Sequence, residues 1–330
     1  MTETGSARWQ LPVAAVIVCG CLIGVISFGV RASFGLFLEP ISSSLVWSRD
    51  VFAFSLTRIV PESKRSLILG LGMAAGSAGQ MLMVPLSQAF IAAFDWQTAL
   101  VLMAVIAFLI TPLAMAVTGK SEHIGLGPAQ SIPQALGEAF RHPSYIWLIA
   151  GFFVCGFHVA FIQVHLPAYL KDNGLPAWLG ATSLALVGGF NIIGSFASGW
   201  IGGHWSKKYA LSAIYFARSI VMICLLLAPL TVTSVLIFSA AMGLLWLSTV
   251  PLTSGLVAQF FGVRYMATLF GFVFFSHQVG AFLGAWLGGK LYSISGNYDL
   301  AWYVAIGLGV ASALAHFPIK EAPVARLANA

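Results

Sequence analysis

Charge is scarce in this sequence. Of its 330 residues, 8% are Asp, Glu, Lys or Arg, against roughly 25% in soluble domains. Hydrophobic residues make up 59%. No soluble fold keeps that much apolar surface from water, so the chain reads as a polytopic membrane protein. Acids are scarcer than bases, 10 against 16, which leaves a formal charge of +6. The only basic runs are Lys64-Arg65 and Lys207-Lys208. That excludes a nucleic-acid footprint and leaves loop charge of the kind that orients membrane proteins. The four cysteines, Cys19, Cys21, Cys155 and Cys224, lie in apolar stretches and form no C-x-x-C pair. They read as small packing residues rather than metal or redox sites. Neither H-E-x-x-H, G-x-S-x-G nor a Walker G-x-x-x-x-G-K-[ST] occurs, so an enzyme and a bound cofactor are not expected.

What the sequence does have is long apolar runs. A spanning helix needs about 20 such residues, and nine candidates lie near 12–38, 67–91, 99–117, 145–170, 179–203, 210–230, 235–258, 266–291 and 300–317. The first is too long for a signal-peptide core and reads as a retained helix. Segment 118–144 is polar and ends in the amphipathic PQALGEAFRHP, a cytoplasmic linker carrying a short surface helix. The domain reading is therefore 1–117 as a first transmembrane part, 118–144 as linker, 145–318 as a six-helix transmembrane half and 319–330 as a tail. Loops 39–66, 118–144, 204–209, 259–265 and the tail 318–330 hold eleven Lys and Arg, while the alternate loops hold Lys171 alone. The basic set, and with it the C-terminus, is expected on the cytoplasmic side of a bacterial inner membrane. Nine crossings then put the N-terminus outside, against the usual habit of a short tail carrying Arg8.

Several stretches carry a resemblance. "GVRASFGLFLEPISSSLVWSRDVFA", "RIVPESKRSLILGLGMAAGSAGQMLMVPL", "GFFVCGFHVAFIQVHLPAYL", "GWIGGHWSKKY" and "GLLWLSTVPLTSGLVAQFFG" resemble, in order and spacing, the major facilitator superfamily. Within it they resemble the bacterial monocarboxylate-porter and oxalate/formate-antiporter-like group. The resemblance implies twelve helices in two parallel six-helix repeats. Laid against that pattern, the chain resembles helix one, then five and six, then seven to twelve. The fold class expected is an all-α polytopic membrane protein of the major facilitator type, with an incomplete first half of about three helices and a complete six-helix second half. VFAFSL opens like helix two and TRIVPESKR closes like helix four, so a seam is expected near Leu56-Thr57-Arg58. The eight residues from Asp50 to Thr57 would reach about 12 Å as a helix, against a hydrocarbon core of about 30 Å. The first helix then inverts or fails to span; the alternative is a nine-helix protein with its N-terminus outside.

Polar residues at membrane depth are the candidate site. Arg31 lies well inside the first run, where an uncompensated charge costs at least ~2.5 kcal/mol. It reads either as a clamp for a substrate carboxylate or as a snorkelling side chain. The resemblance favours the clamp, since monocarboxylate porters keep a cation in helix one. His158 and His165 are seven apart and share a helix face; they are candidates for carrying a coupled proton or for packing. If the halves are repeats, Arg31 falls opposite Gln163, and one cavity collects Arg31, Gln163 and these histidines. Asn191, His277 and Gln278 read as cavity-lining or as interhelical hydrogen-bonding groups. Arg218 reads as structural, snorkelling to the cytoplasmic side. Where the resemblance implies an acid in helix eight, the sequence has Asn191, and where the loop motif G-x-x-x-D-R-x-G-R-R has its acid, Gly203 stands. The stripe Gly280, Gly284, Gly288 and the pair Gly72, Gly76 read as close-packing surfaces, which the resemblance places between the halves.

The function implied is secondary transport of a small monocarboxylate-like anion, coupled to a proton or an exchanged anion, by alternating access in the bilayer. With helix four lacking, transport by an isolated monomer is not expected. The rival is a non-transporting remnant or regulatory partner that pairs with a full-length transporter chain.

Overall fold

Apolar runs in lipid must satisfy their backbone hydrogen bonds internally, and helices do so. A computed structural model describes residues 62–94, 96–112, 130–262 and 264–328, with single positions Leu22 and Ile26. Among these, the secondary structure is helical throughout. The helices are α1 (Glu62–Ala93), α2 (Trp96–Phe108), α3 (Ile132–Phe140), α4 (Pro143–Asp172), α5 (Ala177–His204), α6 (Lys207–Leu227), α7 (Val232–Leu245), α8 (Thr249–Phe261), α9 (Met266–Ser295), α10 (Asp299–Ala315) and the short α11 (Ala325–Ala328). Among the described residues, five segments are long and apolar enough to cross a membrane: Pro143–Asp172, Ala177–His204, Lys207–Leu227, Val232–Phe261 and Thr268–Ser295. Thr98–Pro112 and Asp299–Ala315 are apolar but shorter. Apart from Leu22 and Ile26 the run at 12–38, with Arg31, lies outside the described residues, as does the seam at 56–58.

The amphipathic stretch before α4 forms the short helix α3, as its pattern predicts. Ser131 caps it: its hydroxyl accepts from Gln134 N–H while the Gln134 side chain accepts from Ser131 N–H, so two orphan donors of the first turn are satisfied.

The main core is built by α4 to α10, and Met83, Ala99 and Met103 form a separate cluster between α1 and α2. Most of α4 is buried, and it packs along α9 through glycines. A Cβ on Gly280 would run into the Phe153 carbonyl, one on Gly284 into the Phe157 carbonyl, and one on Gly156 into the His277 carbonyl. The stripe on α9 therefore serves a pair within the second half, not the seam between halves where the resemblance placed it. That seam uses α5: a Cβ on Gly188 would stand 2.9 Å from Met81 N and from Ser77 O of α1. Gly199 and Gly203 have open space beside them and mark no contact.

One expected span divides. The run at 235–258 forms α7 and α8 with a break at 246–248. Pro251 is the local cause. It offers no N–H, and its ring excludes the carbonyl four residues back, that of Leu247. Trp246 N–H instead donates to Gly243 O at 3.1 Å and Val250 N–H to Leu247 O at 3.0 Å, both three residues back, which tightens the chain at the break.

At the basic end of the bundle the tail 316–328 ties loops together. The Glu321 carboxylate accepts from Ser206 Oγ at 2.7 Å and Lys208 N–H at 2.6 Å, capping the start of α6. Gln259 Nε2 donates to Glu321 O at 2.8 Å. Arg326 pairs with Glu138 of α3 at 3.4 Å.

Candidate functional site

Five helices bring polar side chains into the middle of the second half. His158 and His165 share a face of α4, as their spacing predicts, and that face is turned into protein. His158 is fully buried; its Nε2–H donates to Ala305 O of α10 at 2.8 Å, and its Nδ1 has no hydrogen-bond partner. His165 donates from Nε2 to Ala285 O of α9 at 2.8 Å and accepts at Nδ1 from the Tyr298 hydroxyl at 3.4 Å. Burial, with the negative charge of Asp172 and the neighbouring Tyr292, pushes the Tyr298 phenol up to about 12, so it keeps the proton it donates.

Gln163 is half-buried. Five residues after His158, it stands about 140° around the helix. The structure therefore does not gather Gln163 and the two histidines on one wall. His277 is buried with its ring against Phe152 and Phe274, at centroid distances of 5.1 and 5.0 Å. Its Nδ1 meets Gln278 Oε1 at 3.2 Å, and its Nε2 has no hydrogen-bond partner.

Asn191 of α5 is fully buried and joins three elements. Its Nδ2 donates to Ser77 Oγ of α1 at 2.7 Å, and its Oδ1 accepts from Leu247 N–H at the α7–α8 break at 2.8 Å and from Ser195 Oγ at 3.3 Å. Close approach of α5 to the break depends on Gly194, where a Cβ would collide with the Leu244 carbonyl and stand 2.7 Å from Ser248 Oγ. These are bonds between helices, the second of the two readings open to Asn191.

Arg218 is the residue that sequence reasoning misplaced. It does not snorkel; it is fully buried. Its Nε donates to Leu245 O at 3.1 Å and its Nη2 to the same carbonyl at 2.7 Å. Nη2 also donates to Trp246 O and lies 3.8 Å from Cys155 Sγ. Cys155 Sγ in turn lies 3.2 Å from Thr249 Oγ1, and the guanidinium stands over the Tyr215 ring at 5.2 Å. No carboxylate among the described residues pairs with it. The carbonyls freed where α7 ends carry partial negative charge and take the place of an acid. The signals available in the sequence were an Arg eleven residues into an apolar helix and Pro251 inside another.

This architecture resembles solved transporters. The Escherichia coli fucose:proton symporter FucP superposes with a TM-score of 0.58 over 93% of this chain and 84% of that chain, at 16% identity. Among relatives, an uncharacterized MFS-type transporter of Bacillus subtilis, YcxA, is 27% identical over 79% of this chain and 66% of its own length. Monocarboxylate transporter 13 of Rattus norvegicus is 25% identical over 89% of this chain and 73% of its own, and that of Bos taurus 26% identical over 80% and 63%. The chain thus spans about two thirds of the length of these relatives. The profile of the Major Facilitator Superfamily matches residues 8–285, which is most of the chain: this protein belongs to the Major Facilitator Superfamily, a family of transporters rather than enzymes.

Proposed function

We propose that the chain works in secondary transport of small organic anions of the monocarboxylate class, by alternating access in a bacterial inner membrane with its basic end cytoplasmic. The observation that carries this reading is that membership of the superfamily is joined by relatives named monocarboxylate transporters across most of the chain. Arg31 is assigned the substrate carboxylate, since guanidinium matches it with two parallel hydrogen bonds. Gln163, Asn191, His277 and Gln278 are assigned to the lining, and His158 and His165, each with a role in helix packing here, to a coupled proton.

The test is uptake of labelled lactate into proteoliposomes under an imposed proton gradient. Gradient-driven uptake that Arg31→Ala abolishes supports the reading. Uptake that Arg31→Ala leaves intact removes Arg31 from the site, and no uptake of any monocarboxylate removes the transport reading for the chain alone. The second reading, a regulatory or wall-completing partner, follows from the resemblance, in which helix four of the family pattern has no counterpart in this sequence. It predicts co-purification with a full-length superfamily transporter, and a strictly monomeric chain after mild detergent extraction counts against it.

A further inference from the structure

Two consecutive peptide groups at the α7–α8 break are held from opposite sides. Arg218 of α6 donates to the carbonyls of Leu245 and Trp246. Asn191 of α5 accepts the N–H of Leu247. Asn191 then reaches Ser77 of α1, which belongs to the first half. A polar path thus runs from α6 through the break and α5 to the neighbouring half.

We infer that Arg218 is a positioning residue for transport: by fixing the break it sets the Leu247 N–H that orients Asn191, and so holds the α1–α5 seam in register. The inference rests on the transport reading for its consequence, but its geometry does not. A guanidinium is always charged. Buried among apolar helices, it stays only where something balances it, and the end of α7 supplies that balance with carbonyls pointing along the helix axis. The half-helix terminus and unwound backbone form the kind of carbonyl cluster that takes up a free cation in broken transporter helices. Here the cation is tethered to the protein. With three of its donor contacts on the adjacent carbonyls of Leu245 and Trp246 and the fourth on Cys155 Sγ, Arg218 fixes the direction of the peptide planes at the break, and the Leu247 N–H, in the same planar group as the Trp246 carbonyl, takes its direction from it. The alternative, that Arg218 only adds stability, predicts no local effect at Asn191 or at the seam.

The protein in detergent is followed by hydrogen–deuterium exchange in peptides covering residues 244–248. A second readout is the rate of disulfide formation in a Met81→Cys/Gly189→Cys pair, since a Cβ at 189 would stand 3.2 Å from Met81 Sδ. Arg218→Met is expected to raise exchange at the break at least tenfold and to slow cross-linking several-fold. Arg218→Lys, which keeps a charged donor, is expected to restore most of both. If Arg218→Met does not accumulate in membranes, Arg218→Gln, neutral and still a donor, replaces it with the same expected loss of protection. Wild-type exchange and cross-linking in a folded neutral variant would overturn the inference. Where uptake is measurable, the neutral variant is expected to lose Vmax with KM little changed. Absence of uptake in the wild type bears on the transport reading alone, because both structural readouts still apply.

Discussion

Asn191 carries more of this structure than its size suggests. One amide serves α1, α5 and the α7–α8 break, and its contacts to Ser77 and Ser195 lie in buried sites. Asn191→Ala removes the acceptor of the Leu247 N–H, and a buried donor left unsatisfied costs about 1–3 kcal/mol. A lowered thermal midpoint in detergent, with helical content unchanged, is the expected result, while an unchanged midpoint would mean that water replaces the amide. That a polar residue sat at depth was legible in the sequence. Its partners were not, because they stand 114 and 56 residues away and no local pattern encodes them. Arg218 was harder to read for a related reason: a long side chain on a helix reaches water or protein equally well, and only the break built around Pro251 decides. His142, just before α4, is the titrating case. Burial holds its pKa below the ordinary 6.5, with nearby Glu138 partly offsetting this, and its ring packs on Phe260 and Phe261. The unfolded chain therefore binds the proton more tightly. Stability from this group is full above about pH 6.5 and falls as pH drops through that value. His142→Gln is expected to flatten the pH dependence of the melting temperature between about pH 7.5 and 5.5, relative to wild type.

At the scale of elements, glycine position sets which helices touch at backbone distance. Gly280→Val places two methyls where the Phe153 carbonyl stands. Overpacking of this kind costs typically about 1–3 kcal/mol, and more when backbone must move, so the α4–α9 pair is expected to separate and the protein to be lost to degradation. Gly203→Val, with open space beside it, is expected to leave expression and melting unchanged; equal expression of the two variants would refute the assignment of the stripe. Small-residue spacing announced close packing in the sequence, but not the partner. The stripe on α9 was assigned to the seam between halves, and it belongs to α4. From α4 onward span positions were legible to within a few residues, because length and hydropathy fix them. The division of 235–258 was not, although Pro251 was in plain view, since proline is tolerated inside membrane helices and Pro85 and Pro167 stand within unbroken ones here.

At the scale of the molecule, the fold class was legible from composition and from motif order together. The second half emerges as an all-α bundle whose basic end is closed by its own tail. Glu321 is the fastening there, since it caps the first turn of α6 through Lys208 N–H and Ser206. Glu321→Ala is expected to cost about 1 kcal/mol and to open the stretch 204–209 to added protease well before the rest of the chain; a digestion pattern identical to wild type would show the clasp to be redundant.

That clasp also sets an order of events at the ribosome. Arg326 is made 188 residues after its partner Glu138, an interval of about 10–40 s at ordinary translation speeds. Throughout it, α3 and the loop before α6 have no tail to bind. The basic end of the bundle must therefore sit unlatched beside the insertion machinery while α4 to α10 enter the bilayer, and it is fastened only after the last of them has emerged.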